Sequence, residues 1–312
     1  MEAIRIEGLT KSFGSVQALR GLSMSVDSGT ICGFIGPNGA GKTTTLRILL
    51  GLLPRDGGGV SLLGEDVVFG RELARRSRVA YLPQDPVFPE RHTGREVMDL
   101  VAALYGMPPG AARQRSEELL NQFHLTEAQK LSVGSYSRGM KQRLGLATCF
   151  LPEPDLVVLD EPVSALDPEG RVETFALLRQ LKGRSTVLFS SHILEDVERV
   201  SDTLVMVRAG RTVVEGSMEE VLSLYAGDRL RIAVHPDDEA KAKAALETMP
   251  WVTSVSAKDG PIGVIYADVR RGQMDTAVDG TLACLVGQGI RVREFGRSVI
   301  DLETVFLRLS AD

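Results

Sequence analysis

The chain has 312 residues, of which 25% are charged and 43% hydrophobic, and its formal net charge is -5 at pH 7. This composition predicts a globular protein long enough for one large domain or two. The negative balance offers no basic surface for a nucleic-acid backbone, so no nucleic-acid partner is expected. Apolar runs stay below the roughly 18–20 residues of a membrane span. The first residues, MEAIRIEGL, do not have the pattern of a secretory signal.

The three cysteines are Cys32, Cys149 and Cys284, and they form no CxxC pair. This spacing argues against a disulfide framework or a zinc site and favours buried thiols in a reducing compartment.

The first part of the chain alternates between strand and helix patterns. Residues 2–9 and 16–26 alternate apolar and polar residues, as half-buried strands do. The run TICGFIG at 30–36 predicts a fully buried strand, and the helical spacing that follows places Leu46 and Leu49 on one face. Residues 78–84 predict a further strand. A glycine-rich turn between strand and helix is the context that a phosphate-binding loop requires.

A helical insert is predicted over about 93–150. Thr93 and Glu96 match a capping box, and Val97, Leu100, Val101 and Leu104 follow at helical spacing. Further helices are predicted over 111–123 and from about Ser137. The strand pattern returns at 155–161 and 185–191, where continuous apolar runs are typical of a parallel sheet covered on both faces. Residues 203–216 predict a hairpin around Ala209-Gly210.

The chain is predicted to start a second domain near residues 225–228, so the expected domains are 1–225 and 226–312. Its predicted elements are strands at 230–234, 251–257, 262–269 and 290–295 and helices at 237–248 and 274–287, with a turn at 258–261. The order β-α-β-β-α-β is that of a ferredoxin-like unit. A last amphipathic helix is predicted over 300–309.

Two motifs predict phosphate chemistry. GPNGAGKTT, residues 36–44, matches G-x-x-x-x-G-K-[ST]: the glycines let backbone amides face an anion, Lys42 reaches the β- and γ-phosphates, and Thr43 offers a hydroxyl to Mg²⁺. LVVLDE, residues 156–161, ends a buried strand in two carboxylates. Asp160 can hold the Mg²⁺ shell, and Glu161 can polarise a water for attack on the γ-phosphate.

A third motif, SYSRGMKQR at 135–143, predicts a helix start with a glycine and free amides, which is a second place to hold a phosphate. Together, residues 36–44, 135–143 and 156–167 resemble the ATP-binding subunits of ABC transporters, over residues 2–225. The resemblance implies an α/β fold, the P-loop NTPase cassette: a mostly parallel core sheet, an antiparallel β subdomain and a helical subdomain at about 86–150. The small C-terminal domain is then α+β and ferredoxin-like.

The resemblance also implies roles for single residues. Phe13 matches an aromatic that stacks on adenine, Gln84 the Q-loop glutamine, Ser137 and Gly139 the signature motif, residues 164–167 the D-loop, and His192 the switch histidine. The implied cofactors are ATP and Mg²⁺. The expected nucleotide contacts are Phe13, Gly36, Pro37, Asn38, Gly39, Ala40, Gly41, Lys42, Thr43, Thr44, Ser137, Arg138, Gly139 and Asp167. The expected catalytic residues are Glu161, His192, Gln84 and Lys42, and the expected metal ligands are Thr43, Gln84 and Asp160.

In this family two subunits meet head to tail, and the signature motif of one covers the ATP held by the other. The resemblance therefore implies a second copy of the chain and a separate transmembrane permease subunit as partners, at the cytoplasmic face of the cell membrane. The chain would hydrolyse ATP to power transport.

Plainer interpretations stay open for several residues. Phe13 could be a core aromatic, Gln84 a polar loop residue, His192 a surface or helix-cap residue, and Ser137 only a helix N-cap. Arg138 stands where the family most often has glycine, so it either adds a cation near the facing nucleotide or points to solvent. Met140 and Val163 are smaller departures, at positions where glutamine and threonine are common.

The last residues, IDLETVFLRLSAD at 300–312, resemble the end of the accessory domain on ATP-binding subunits of ABC-2-type exporters, although a generic terminal helix would have a similar pattern. Export is therefore expected, with an importer subunit as the alternative. A soluble ABC protein acting on ribosomes would usually carry two cassettes. A DNA-maintenance ATPase would carry long coiled coils, for which the insert at 93–135 is too short.

Overall fold

The computed structural model describes residues 2–71, 76–225, 228–258, 263–298 and 302–311. Its internal contacts divide the chain into two compact units, Met1–Met218 and Glu219–Asp312, whereas the sequence placed the boundary after residue 225. Helix α7 (Met218–Tyr225) begins at this division. The predicted restart at 225–228 lies partly outside the described residues.

The first unit combines two sheets with six helices in the described ranges. The strands are β1 (Glu2–Phe13), β2 (Val16–Asp27), β3 (Ile31–Ile35), β4 (Gly57–Leu62), β5 (Glu65–Asp66), β6 (Val79–Leu82), β7 (Leu156–Asp160), β8 (Thr186–Ser191), β9 (Thr203–Arg208) and β10 (Arg211–Ser217). The helices are α1 (Lys42–Leu49), α2 (Gly94–Leu104), α3 (Pro109–Gln122), α4 (Arg138–Phe150), α5 (Pro168–Gln180) and α6 (Leu194–Val200).

The larger sheet has the order β10-β9-β3-β8-β7-β6, and its strands are parallel except for the antiparallel edge strand β10. Every residue of β3, β7 and β8 is buried, because helices and the second sheet cover both faces of these strands. The predicted hairpin around Ala209-Gly210 is confirmed: both residues have a positive φ, as the tight turn between β9 and β10 requires.

The smaller sheet is antiparallel, with the order β2-β1-β4-β5. Its apolar face, helix α1 and one face of the parallel sheet form one continuous core. Strands β1 and β2 were predicted, but β4 was not. It begins with three consecutive glycines, which have low strand propensity, and its place against β1 is fixed by tertiary pairing.

The helical insert is confirmed, with α2 and α3 followed by α4. The capping box at Thr93 is present, since its hydroxyl accepts from the Glu96 N–H and the Glu96 carboxylate accepts from the Thr93 N–H. The expected apolar stripe along α2 is only partly buried. Val97 is buried, whereas Leu100 and Leu104 are 43% and 75% exposed, so the end of this helix presents apolar surface.

The second unit is a ferredoxin-like α+β fold, as predicted. Its elements are β11 (Arg229–Val234), α8 (Glu239–Glu247), β12 (Val252–Lys258), β13 (Gly263–Val269), α9 (Met274–Gly287), β14 (Val292–Arg297) and α10 (Leu302–Ala311). The antiparallel sheet has the order β12-β13-β11-β14, and α8 and α9 pack on it around a separate apolar core. Residues 259–261 of the predicted turn lie outside the described residues.

Cys32 and Cys149 are buried as predicted, and burial raises the pKa of each thiol to about 12. Cys284 is only partly buried, contrary to the expectation. Within the ranges that the structure describes, no helix has the length and apolar character of a membrane span.

An ion pair connects α5 and α6. The Nη2 atom of Arg171 lies 2.6 and 2.7 Å from the two carboxylate oxygens of Asp196, a nearly buried side chain. We expect Arg171→Leu to lower the free energy of unfolding by about 3 kcal/mol, because it leaves a buried carboxylate unpaired; this is the low end for a buried pair, since Arg171 is itself partly exposed. Urea denaturation followed by circular dichroism measures this change.

The matched control is Arg199→Leu, which removes an arginine from the exposed pair with Glu195 on α6. Such a pair contributes less than about 1 kcal/mol. Equal losses of unfolding free energy in the two variants would show that the Arg171–Asp196 pair stabilises the fold no more than an exposed pair does.

Candidate functional site

Four neighbouring parallel strands bring the predicted catalytic residues to one edge of the sheet. Strand β3 runs into the loop 36–41, β7 ends at Asp160 with Glu161 next, β8 is followed by His192, and β6 is followed two residues later by Gln84. In parallel α/β sheets, ligands bind at this carboxyl edge. These residues are distributed over more than a hundred positions of the sequence, and the order of the strands in the sheet brings them together.

The loop at 36–41 has the shape of an anion cradle. A Cβ on Gly36 would lie 2.3 Å from the carbonyl oxygen of Val207, so only glycine fits there. Gly39 and Gly41 have φ values of 81° and 103°, in the left-handed region. Helix α1 begins at Lys42 with no side-chain cap. Its first N–H groups therefore have no partner within the helix and are available to an anion.

Pro37, Asn38 and Gly39 are exposed, Ala40 is buried, and Thr43 and Thr44 are half-buried at the start of α1.

Lys42, Glu161 and His192 form one contact chain. The Lys42 ammonium donates to the Gly36 carbonyl at 2.7 Å and lies 3.8 Å from Glu161 Oε1, while His192 Nδ1 lies 2.7 Å from Glu161 Oε2. Burial lowers the pKa of Lys42, and the carboxylates of Glu161 and Asp160 oppose that shift. The two oxygens of Glu161 are thus held by two different cationic or hydrogen-bonding groups, and the residue is 8% exposed.

Ser190 fixes the two carboxylates relative to each other. Its hydroxyl accepts from the Glu161 N–H at 2.9 Å and donates to Asp160 Oδ1 at 2.6 Å. Glu161 itself has a φ of 52°, an uncommon conformation for a residue with a side chain. Sequence reasoning missed Ser190, although it lies in the run Ser190-Ser191-His192.

The other oxygen of Asp160, Oδ2, is buried and has no hydrogen-bond partner among the described residues. A buried carboxylate oxygen without a partner is unfavourable unless a cation or donor completes it. Asp160 therefore fits the role of a Mg²⁺ ligand or of a group that holds a Mg²⁺-bound water. Gln84 is exposed in a bend after β6.

The signature residues lie at a different place in the same unit. Ser137 is the N-cap of α4, and its hydroxyl accepts from the Met140 N–H at 3.2 Å. A pocket of about 300 Å³ opens beside it, and none of its lining residues comes from the loop 36–44. The lining residues are Ser137, Gly139, Met140, Arg143, Ala165, Leu166 and Asp167. The predicted signature and D-loop are therefore adjacent within one chain.

Arg138 has a partner that neither interpretation of the sequence foresaw. Its Nη2 and Nε atoms donate to Asp85 Oδ1 at 2.8 and 3.1 Å. Asp85 directly follows Gln84, so this pair joins the start of α4 to the segment after β6. Asp167 caps α5 through the Gly170 N–H and also accepts from Arg143 at 3.2 Å.

Phe13 is 49% exposed, which rules out the interpretation as a core aromatic. The Lys11 ammonium lies 5.5 Å from its ring centroid and 2.8 Å from Asp56 Oδ1, and Asp56 also accepts from the Ser12 N–H at 2.6 Å. The aromatic ring is thus presented at the surface by a fixed backbone, as a stacking platform requires.

Comparison with known proteins identifies the family of the chain. The model of the family described as "ABC transporter" matches residues 19–164. The daunorubicin resistance ATP-binding protein DrrA3 of Streptomyces coeruleorubidus is 36% identical over 99% of this chain and 96% of its own length. The Nod factor export ATP-binding protein I of Burkholderia lata is 34% identical over 98% of this chain and 96% of its own length.

The chain belongs to the ABC transporter family.

A solved structure of an ATP-binding subunit of an ABC transporter has a TM-score of 0.66 and 30% identity to the chain, covering 72% of this chain and 93% of that one. The predicted ABC cassette fold and the predicted activity, an ATPase that powers transport, are both confirmed. As an ABC ATPase, the chain binds ATP and belongs to a class of subunits that work with separate transmembrane components.

Proposed function

We propose that the chain is the Mg²⁺-dependent ATPase subunit of an exporter and that the site at the carboxyl edge of the parallel sheet hydrolyses its ATP. The observation that carries this proposal is the contact chain in which Glu161 touches both Lys42 of the phosphate loop and His192. Export is supported by full-length similarity to relatives whose names refer to drug resistance and Nod factor export.

Each side chain has a specific task in this proposal. The loop amides and Lys42 hold the phosphates, while Thr43, Asp160 and Gln84 would hold Mg²⁺, which would supply positive charge against the phosphates. Glu161 accepts the proton of the attacking water, and His192 orients Glu161 and contacts the γ-phosphate. Phe13 stacks on the adenine.

The nucleotide site is completed by a second copy of the chain. The pocket beside Ser137 and Gly139 lies at a helix N-terminus, where a phosphate is favourable, but no residue of the chain's own phosphate loop lines it. We infer a head-to-tail dimer in which Ser137, Arg138 and Gly139 of each copy face the ATP of the other. Arg138 would then leave Asp85 or carry it along when the dimer closes.

The transmembrane partner docks on a groove of mixed apolar and polar lining at the end of α1 and α2. The groove is lined by Leu50, Gly51, Leu52, Gly70, Arg71, Ser77, Val79, Tyr81, Leu104 and Tyr105. Leu52 and Leu104, which both line this groove, are 49% and 75% exposed and present adjoining apolar surface to a partner. The β6 residues Val79 and Tyr81 connect the groove to Gln84. This partner would place the chain at the cytoplasmic face of the membrane.

The test is affinity purification of the tagged chain from detergent-solubilised membranes of its own organism, followed by mass spectrometry. We expect a polypeptide with several membrane spans in stoichiometric amount, lost in the variant Leu104→Glu but kept in Leu131→Glu, an equally apolar but separate exposed site. Recovery only from the soluble fraction, with ribosomes, DNA or no partner, would contradict the proposed transporter complex. An importer subunit would be recognised by a partner that also binds an external solute receptor.

A further inference from the structure

Gln142 is a fully buried polar residue on the signature helix. It lies on the second turn of α4, and its Nε2 atom donates to the carbonyl oxygen of Pro162 at 2.9 Å. The orientation of the amide is fixed by chemistry, because a carbonyl oxygen can only accept and must therefore face the NH₂ group. The bond joins α4 to the segment that directly follows Glu161.

The other end of the same amide is unfavourable for folding. Gln142 Oε1 is buried and has no hydrogen-bond partner in the described part of the chain. A buried acceptor without a partner loses its hydration and regains nothing, and this cost offsets the stability gained from the bond between Nε2 and the Pro162 carbonyl. An apolar side chain of similar length would remove both contributions. The residue is therefore poorly explained by stability alone.

The segment that Gln142 holds contains the proposed general base. Glu161 has a positive φ, a conformation that persists only when its surroundings enforce it. Ser190 holds the Glu161 N–H from one side, and Gln142 holds the Pro162 carbonyl from the other. These two bonds bracket the backbone that aims the Glu161 carboxylate at Lys42 and His192.

We propose that Gln142 is a positioning residue for ATP hydrolysis: it fixes the backbone after Glu161 and couples the orientation of this base to the signature helix. The inference rests on the proposed role of Glu161. In the proposed dimer, α4 begins at the residues that meet the partner's ATP, while Glu161 acts on the chain's own ATP. Gln142 is then a direct link between the two nucleotide sites.

The experiment measures steady-state ATP hydrolysis and thermal unfolding of the full-length Gln142→Met variant. Methionine keeps the length of the side chain and removes both polar atoms. We expect kcat to fall at least about tenfold, since a small misplacement of a catalytic group has effects of this order. KM for ATP should stay within about twofold, because binding alone does not use Glu161. Tm should stay within about 4 °C of the wild type.

The matched control is Thr148→Val on the same helix. Among the residues that the structure describes, the Thr148 hydroxyl bonds only to the Gly145 carbonyl of α4 itself, at 2.7 Å, so kcat should not change. An unchanged kcat in Gln142→Met would overturn the proposal. A parallel loss of kcat, ATP binding and Tm, or failure to fold in both Gln142→Met and Gln142→Leu, would show a purely structural residue and overturn it as well.

The outcome is separable from the proposed function. Glu161→Gln, measured beside it, reports whether Glu161 is the base. If that variant is inactive and Gln142→Met is fully active, only the positioning role fails. If Glu161→Gln is fully active, Glu161 is not the general base, and the proposed function is contradicted whatever the result for Gln142→Met.

Discussion

Glu161→Gln is expected to lower kcat for ATP hydrolysis by about 10²- to 10⁴-fold, the usual contribution of a general base, while ATP still binds. The structure supplies the reason for choosing glutamine. Glu161 is nearly buried between Lys42 and His192, at 3.8 and 2.7 Å. A glutamine of the same shape keeps a hydrogen bond to the imidazole but cannot accept a proton from water.

The same substitution is expected to trap the closed dimer when ATP is added, because ATP then holds two copies together and is not consumed. Size-exclusion chromatography with and without MgATP measures this, and phosphate release measures turnover. Glu118→Gln on helix α3 is the control for the chemical change, since Glu118 is exposed and its carboxylate, within the described ranges, pairs only with the neighbouring side chains of Gln114 and Arg115. Normal turnover in Glu161→Gln would exclude Glu161 as the base and direct attention to His192.

The site was predictable from sequence to the extent that its residues lie in short contiguous motifs. The loop at 36–44 and the carboxylates at 160–161 follow buried strands whose apolar runs are visible in the sequence, and parallel strands deliver their carboxyl ends to one edge. The contact between Glu161 and His192, 31 residues apart, follows from the adjacency of β7 and β8, which only the assembled sheet shows.

The features that sequence reasoning missed depend on contacts between residues that lie far apart in the chain. The Arg138–Asp85 pair joins residues 53 positions apart, and no local pattern predicts it. Strand β4 starts with glycines and is held in the antiparallel sheet by β1. The exposure of Leu100 and Leu104 at the end of α2 could not be predicted, because helical spacing reports which residues share a face and not how far the neighbouring elements cover that face.

Lys42→Met is expected to weaken ATP binding by about 10- to 100-fold, since charge-assisted hydrogen bonds contribute about 1.5–3 kcal/mol and each 1.4 kcal/mol is a factor of ten. Without nucleotide, the free energy of unfolding of the chain should change little. Burial already lowers the pKa of Lys42, so the buried ammonium is itself unfavourable, and this offsets the lost bonds to the carbonyls of Gly36 and Pro37. We expect the free energy of unfolding to stay within about 2 kcal/mol of the wild type.

Thermal unfolding with and without MgATP measures both effects in one experiment. A ligand at 100 times its Kd stabilises the folded state by about 2.7 kcal/mol, so wild type and Lys130→Met, an exposed control, should both show a clear rise in Tm with ATP. Lys42→Met should show a smaller rise at the same ATP concentration, because a 10- to 100-fold weaker Kd leaves about 0.4–1.4 kcal/mol of stabilisation by ATP. A large fall in Tm without ATP would mean that Lys42 holds the loop together, and an undiminished rise with ATP would mean that the loop amides alone bind the phosphates. A large loss of ATP affinity and a small change in stability without ATP have the same geometric origin. Lys42 lies buried among backbone carbonyls and the carboxylate of Glu161, at a helix start whose N–H groups attract an anion.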